Sequence, residues 1–402
     1  MSRRPTNVYE RDPSATASGT SCPACLLARH SRYPSNLYTD GRAAVVAAGH
    51  DGRGEAMGKA GAEVYVRLPH SWCGASLDGV VQVADAAEAL GFDGVSVQDH
   101  VLAGPGVAPC GHRHAGDDRN VLEALATLAY VAARTRRVRL LTGVLVVPFR
   151  HVVWIAKTAA TVDVLSNGRL VLGVGVGAPR NRRTDGVQNT GPHAEISARE
   201  TALFDLPGPR GKVMDEALEA LDRLWTVDAA TYEGTYVRFS GVDLYPKPIQ
   251  RPRPPIWVGG RAEAAIRRAA LLADGWFPSQ ASVEVLAAGR ALALEVAANA
   301  GRPAPIFGVN LFVSVDRDGE SARDVVRDGL GRRFRTEEGL FEATIAGSPA
   351  EVLERVRAYE AAGCSVFDLK FLPHRGDETI LQMELLAAEV LPALGRLPIT
   401  SG

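Results

Sequence analysis

The chain has 402 residues, 46% of them hydrophobic and 23% charged, with a formal net charge of −1. These proportions suit a folded chain with one large core or two medium ones. The balanced charge argues against a nucleic-acid or polyanionic partner. No run of about 18 apolar residues occurs, and the first residues lack an apolar leader, so neither a membrane span nor secretion is expected. Cys22, Cys25, Cys73, Cys110 and Cys364 are odd in number and scattered, which fits free thiols in a reducing cytoplasm.

Residues 1–60 are rich in Gly, Ser, Pro, Arg and Ala without sustained periodicity. Such a composition cannot bury enough apolar surface to offset chain entropy, so a flexible or loosely packed extension is expected. Met57, just ahead of the first strand pattern, offers an alternative start. Residues 61–402 read as one domain. Its strand patterns are EVYVRL, DGVSVQ, RVRLLTGVLVV, RLVLGVGV, PIWVG, DGWFPS, IFGVNLFVSV and VFDLKFL. Helical periods lie over Leu77–Leu90, Val121–Arg134, Val152–Leu165, Val213–Trp225, Ala262–Leu272, Val283–Asn299, Ser321–Leu330, Pro349–Ala362 and Thr379–Leu394. Apolar strands alternating with amphipathic helices imply a parallel sheet covered by helices. Eight such units fit a (β/α)8 TIM barrel with insertions at its carboxyl face; a doubly wound open sheet is the competing arrangement. One insertion is the polar stretch 178–211. The other, ATYEGTYVRFSGVDLYPKPIQRPRPP, reads as a hairpin with a Gly turn and a Pro-rich return.

Several strand ends carry chemistry. Asp99-His100 follows the second strand, where a barrel places its reactive rim; an imidazole beside a carboxylate can shuttle a proton near neutral pH. The Gly-x-Gly-x-Gly of LVLGVGVG is weak as a dinucleotide fingerprint, because Ala178-Pro179 follow where a helix should open. Its glycines suit either close strand packing or a ring or phosphate laid against the strand end. Arg150-His151 begin a helix, an end that favours anions, which points to ion pairing or function for them. Gly259-Gly260-Arg261 precede another helix and could seat a phosphate or simply cap the turn. Cys22, Cys25 and His30 lack a second pair of metal ligands, and Cys110, His112, His114, Asp117 and Asp118 match no standard metal spacing, so no metal is expected.

Taken together, SVQDH, RVRLLTGVLVVPFRHVVWIAKTAATVDVLSNGRLVLGVGVG, YPKPIQRPRPPIWVGG, ALLADGWFPS and GSPAEVLERVRAYEAAGCSVFDLKF resemble the bacterial luciferase-like superfamily, especially its actinobacterial deazaflavin-dependent oxidoreductases. The resemblance covers nearly all of residues 62–394 and rests on order and spacing. It implies a TIM barrel that binds coenzyme F420 or FMN at the carboxyl ends of the strands, commonly as a homodimer. It places Asp99 and His100 beside the ring, with His100 as proton donor or acceptor and Asp99 orienting it or the ring edge. It also implies a cis peptide at Gly143-Val144 behind the ring. Cofactor contacts are implied for Gly175, Val176, Gly177, Asn181, Gly259, Gly260 and Arg261. Ala178-Pro179 stand where many relatives have Trp or Glu, so the sugar-phosphate dehydrogenase activity in which that Glu is the acid is not expected. The reading is therefore hydride transfer between coenzyme F420 and a small organic substrate. The alternatives are an FMN-dependent monooxygenase supplied by a separate cofactor-reducing enzyme, or a non-catalytic flavin-binding relative. Only five of the 45 basic residues are lysine, an Arg bias of GC-rich genomes whose hosts commonly make the deazaflavin.

Overall fold

The computed structural model describes residues 61–71, 75–102, 120–177, 192–373 and 376–395. The Val-, Leu- and Ile-rich runs form β1 (Glu63–Arg67), β2 (Gly94–Val97), β3 (Arg139–Thr142), β4 (Leu145–Val146) and β5 (Leu170–Gly175). Further along lie β6 (Ala230–Glu233), β7 (Arg238–Val242), β8 (Ile256–Val258), β9 (Gly275–Trp276), β10 (Ile306–Val315), β11 (Thr344–Gly347) and β12 (Val366–Phe371). The helices are α1 (Leu77–Leu90), α2 (Ala124–Arg134), α3 (Val152–Leu165), α4 (Pro192–Leu203), α5 (Arg210–Thr226) and α6 (Glu263–Leu272). They are followed by α7 (Val283–Asn299), α8 (Gly319–Leu330), α9 (Glu337–Glu342), α10 (Pro349–Ala361) and α11 (Gly376–Glu389).

Parallel pairing runs β1–β2–β3–β5–β8–β9–β10–β12, and β12 pairs back onto β1. The sheet therefore closes into the eight-stranded (β/α)8 barrel expected from the strand–helix alternation, and the open-sheet arrangement is excluded. The insertion after α5 is the expected antiparallel hairpin, β6 against β7, turning through Gly234. Three elements escaped the periodicity: α4 in the polar insertion, and α9 and β11 beyond α8. β11 pairs with the last four residues of β10, while β9 pairs with its first two.

Alternation along the strands separates two apolar sets. Outward residues such as Val64, Val66, Val95, Val97, Leu140, Leu172 and Ile256 pack under the helices in the main core. Inward residues Tyr65, Leu141, Val171, Trp257, Phe277 and Val366 fill the barrel below its mouth. A third cluster, containing Phe312, Leu330, Phe334, Leu340 and Leu372, binds the α8–α9 segment to the ends of β10 and β12.

The third strand is irregular. Leu141 pairs with Val171 and Leu145 with Val174, so the β3–β4 side holds one more residue than β5 across this interval. The extra residue falls at 142–144, and the Gly143–Val144 peptide there is cis, at the position the family resemblance implied. Thr142 Oγ1 donates to the Gly173 carbonyl at 2.7 Å. A Cβ on Gly173 would lie 2.0 Å from the Thr142 carbonyl oxygen, a backbone atom with no room to retreat. Gly173→Ala is therefore expected to lose about 1–3 kcal/mol in denaturant unfolding. Gly331→Ala, at a position with nothing within 4 Å of the new carbon, should leave stability unchanged.

Candidate active site

Barrel strands present their carboxyl ends on one face, and side chains two residues apart on a strand point the same way. The deepest polar layer of that face is a buried ion pair between Arg67 of β1 and Asp368 of β12, each no more than 2% exposed. Arg67 also donates from Nε to Ser96 Oγ at 2.7 Å and from Nη2 to the Gly143 carbonyl at 3.0 Å. Asp368 accepts from Ser96 Oγ at 2.5 Å and from Asn310 Nδ2 at 2.8 Å. These bonds join β1, β2, β10 and β12 to the cis peptide.

Above that layer the Val144 side chain crosses the mouth. A Cβ on Gly175 would lie 2.7 Å from Val144 Cγ2, and one on Gly259 would lie 3.0 Å from Val144 Cγ1. Gly175 and Gly259 thus make room for Val144, which provides an apolar surface between β5 and β8. Gly177 has φ +79, and a Cβ there would meet Arg210 Nη1 at 3.1 Å and Val146 Cγ1 at 3.2 Å. Val176 is half-buried and packs against the main core. On the other strand end the Gly259 amide donates to the Val174 carbonyl at 2.8 Å, and the Gly260 carbonyl accepts from Trp276 Nε1 at 2.8 Å. Gly260 has φ +113, and the Arg261 guanidinium reaches the Gln280 carbonyl at 3.3 Å. α6 opens with Ala262 at its N-cap position and no side-chain cap, so its first amides are not satisfied by a side chain.

Asp99 and His100 diverge. Asp99 is 5% exposed. Its Oδ2 accepts from the Val146 amide at 2.8 Å and from Arg150 Nη1 at 2.5 Å, and its Oδ1 accepts from Arg150 Nη2 at 2.9 Å. Arg150 also pairs with Glu123 at 2.9 Å. This answers the cation at a helix start: Arg150 is ion-paired away from it, and His151 caps α3 by accepting from the Val153 amide at Nδ1. Asp99 therefore anchors β4 and Arg150, and the orienting acid of His100 is another residue.

That residue is Glu200 of α4, 3% exposed. Its carboxylate lies 3.0 and 3.2 Å from His100 Nδ1 and accepts from the amides of Val101 at 2.6 Å and Leu102 at 3.1 Å. Burial pushes the Glu200 carboxyl up, but the hydrogen bond and charge of His100 and the two amides outweigh it and hold it below the usual carboxylate range. Sequence reading missed Glu200 because no apolar period marks the insertion; its only signal was an acid within the helix-compatible ISARETAL.

Two basic groups, one buried and one half-buried, also went unnoticed. Burial lowers His70 to about 4 and keeps it neutral, between the carbonyls of Leu68 and Gln98, each at 2.9 Å. Lys370 of β12, two residues beyond Asp368, is held down to about 7 by burial and by the charges of Arg67 and Arg333. Its signal was a charge pair, Asp368 and Lys370, inside an otherwise apolar strand. Asn181, Ala178-Pro179 and the Cys22–His30 and 110–118 stretches lie outside the described residues. No helix among the described residues is long and apolar enough to cross a membrane.

The family model for luciferase-like monooxygenases matches residues 48–365. The chain belongs to that family. A curated relative, an F420-dependent glucose-6-phosphate dehydrogenase of Microbacterium testaceum, is 35% identical over 191 residues. That match covers 47% of this chain and 49% of the dehydrogenase, so the chain spans about half the length of that relative. An FMNH2-dependent dimethylsulfone monooxygenase of Pseudomonas putida is 26% identical over 349 residues, covering 79% and 87% of the two chains. In fold, this luciferase-like chain superposes on a coenzyme F420-dependent tetrahydromethanopterin reductase from Methanopyrus kandleri with a TM-score of 0.65 at 18% identity, over 84% and 100% of the chains.

The Glu200 linkage makes a pH prediction. A carboxylate whose folded pKa is depressed stabilises the fold above its unfolded pKa, and that contribution is lost as pH falls through the folded value. The docking of α4 onto residues 100–102 should therefore weaken below about pH 4.5. Glu200→Gln should remove about 1–3 kcal/mol at pH 7 and less at pH 3, checked by thermal unfolding at the two pH values.

Proposed function

We propose that this luciferase-like chain is an oxidoreductase that transfers a hydride between coenzyme F420 and a small organic substrate at the barrel mouth. The observation that carries the reading is the His100–Glu200 pair at the end of β2, on the same barrel face as the apolar surface of Val144. The mouth fits a tricyclic ring with a phosphate-bearing tail: Val144 between Gly175 and Gly259 gives a flat apolar support, and the uncapped start of α6 with Gly260 gives amides for an anion. The glycine turn at Gly177, beside Arg210, and the loop at Arg261 complete the residues assigned to hold it, with Asn181 kept from the family resemblance. When bound, the coenzyme supplies the hydride chemistry.

The protein's own residues do the remaining work. Val144 supports the ring and excludes water beneath it. Glu200 fixes the His100 imidazole through Nδ1, so that proton exchange with the substrate's reacting oxygen runs through Nε2. Asp99 keeps β4, and with it Val144, in register. The assignment of F420 draws on the similarity to F420-dependent dehydrogenases.

Titration with coenzyme F420 and with FMN, read by fluorescence quenching, tests the reading. F420 is expected to bind, and His100→Ala should keep that binding while turnover falls about 10²–10⁴-fold. Unchanged turnover in His100→Ala would remove its proton role. The similarity to the dimethylsulfone monooxygenase favours one second reading, flavin-dependent oxygenation with reduced FMN from a partner reductase. Oxygen uptake that requires reduced FMN would select it.

We further infer a homodimer through α2 and α3. Trp154 on α3 is 69% exposed and Tyr130 on α2 is 44% exposed, large apolar groups left in water on two neighbouring helices. Light scattering should report a dimer for the wild type and a monomer for Trp154→Glu; a monomeric wild type would refute the inference.

A further inference from the structure

On β12, Asp368 faces the barrel interior, as its bonds to Arg67, Ser96 and Asn310 show. Lys370 lies two residues on, on the same face and one step nearer the mouth. It pairs in register with Phe312 of β10, and its Nζ stands 5.0 Å from the Phe312 ring centroid. The guanidinium carbon of Arg333 stands 5.6 Å from the same centroid. Two cations thus share one aromatic ring where the α8–α9 segment meets the ends of β10 and β12.

The carboxylate two residues back on the strand is already committed. Both oxygens of Asp368 are already engaged, Oδ1 by Ser96 and Oδ2 by Arg67 and Asn310. Among the described residues the Lys370 ammonium makes no hydrogen bond or ion pair, although the residue is half-buried. An ammonium in that position has lost part of its hydration without gaining a counter-ion, an arrangement that costs stability unless a ligand completes it.

We propose that Lys370, on the Phe312 ring it shares with Arg333, seats an oxyanion of the substrate, a carboxylate or a phosphate, so that this protein acts on organic anions. The proposal rests on the mouth being the reaction site, and it deepens that reading by naming the substrate class. The depressed titration of Lys370 agrees with it: an oxyanion at Nζ restores the charge that Arg67 and Arg333 oppose. The ring of Phe312 also offers an apolar face to the body of such a substrate.

The test is calorimetric titration of the protein, with and without coenzyme, using phenyl phosphate, benzoate and the neutral benzyl alcohol. At least one of the two anions should bind tenfold or more tightly than the alcohol, and the tighter one identifies the oxyanion. Lys370→Met should abolish that preference, Lys370→Arg should keep it, and coenzyme affinity should stay within threefold in both. Equal binding of anion and alcohol, an unchanged preference in Lys370→Met, or a tenfold loss of coenzyme affinity in that variant would each overturn the proposal. Should Lys370→Met fail to fold, acetylation of wild-type Lys370 decides the matter by peptide mass spectrometry, made tractable by the five lysines of the chain. Phenyl phosphate or benzoate should slow it at least tenfold, and no protection by either overturns the seat. Absence of any coenzyme binding refutes the function proposed above and leaves the anion measurements readable.

Discussion

The buried pair of Arg67 and Asp368 is the interaction on which the mouth of this barrel depends. Burying two charges gains little net stability, because desolvation offsets most of their attraction. What the pair provides is position. Through Ser96, Asn310 and the Gly143 carbonyl it ties four strands to the irregular turn of the third. A Cβ at Gly143 would lie 2.8 Å from Arg67 Nη2 and 3.1 Å from Asp368 Oδ2, so only glycine lets the turn approach the pair so closely. The next residue, Val144, is then delivered across the mouth, and Gly175 and Gly259 are glycines because it arrives there.

The same pair decides the electrostatics above it. Asp368 spends its hydrogen-bonding capacity on Arg67, Ser96 and Asn310, which leaves the following inward residue, Lys370, without a compensating acid among the described residues. A barrel whose interior were purely apolar at this depth would neither hold the cis turn in place nor leave a lysine to be completed by a ligand. One polar layer thus sets an apolar support on one side of the mouth and a positive wall at β12.

Much of this architecture was legible because its elements carry strong periods. α1, α3 and α7 match their patterns residue for residue, and all eight barrel strands were visible as apolar runs. What periodicity could not reveal was partnership across the chain. Asp99 and His100 looked like a pair because they are adjacent, yet at a strand end adjacent side chains point to opposite sides. Asp99 therefore meets Arg150, 51 residues away, and His100 meets Glu200, 100 residues away. Gly175 and Gly259 suit close packing or a coenzyme by pattern alone, and the structure shows that both make room for Val144, a partner that no local pattern names. β11 and α9 were too short to stand out, and α4 has too weak an apolar face.

Glu200 gives the polar insertion a meaning that its composition concealed. One carboxylate receives the His100 ring and the amides of Val101 and Leu102, so α4 cannot leave the rim without releasing the imidazole and two amide donors together. Each of those bonds is stronger for being charge-assisted, and each unmade partner would carry its own desolvation cost. The proton role proposed for His100 consequently requires α4 to be docked. The insertion whose residues depart furthest from the family pattern also supplies the carboxylate that holds His100, which ties the proposed reactivity of the rim to a single helix.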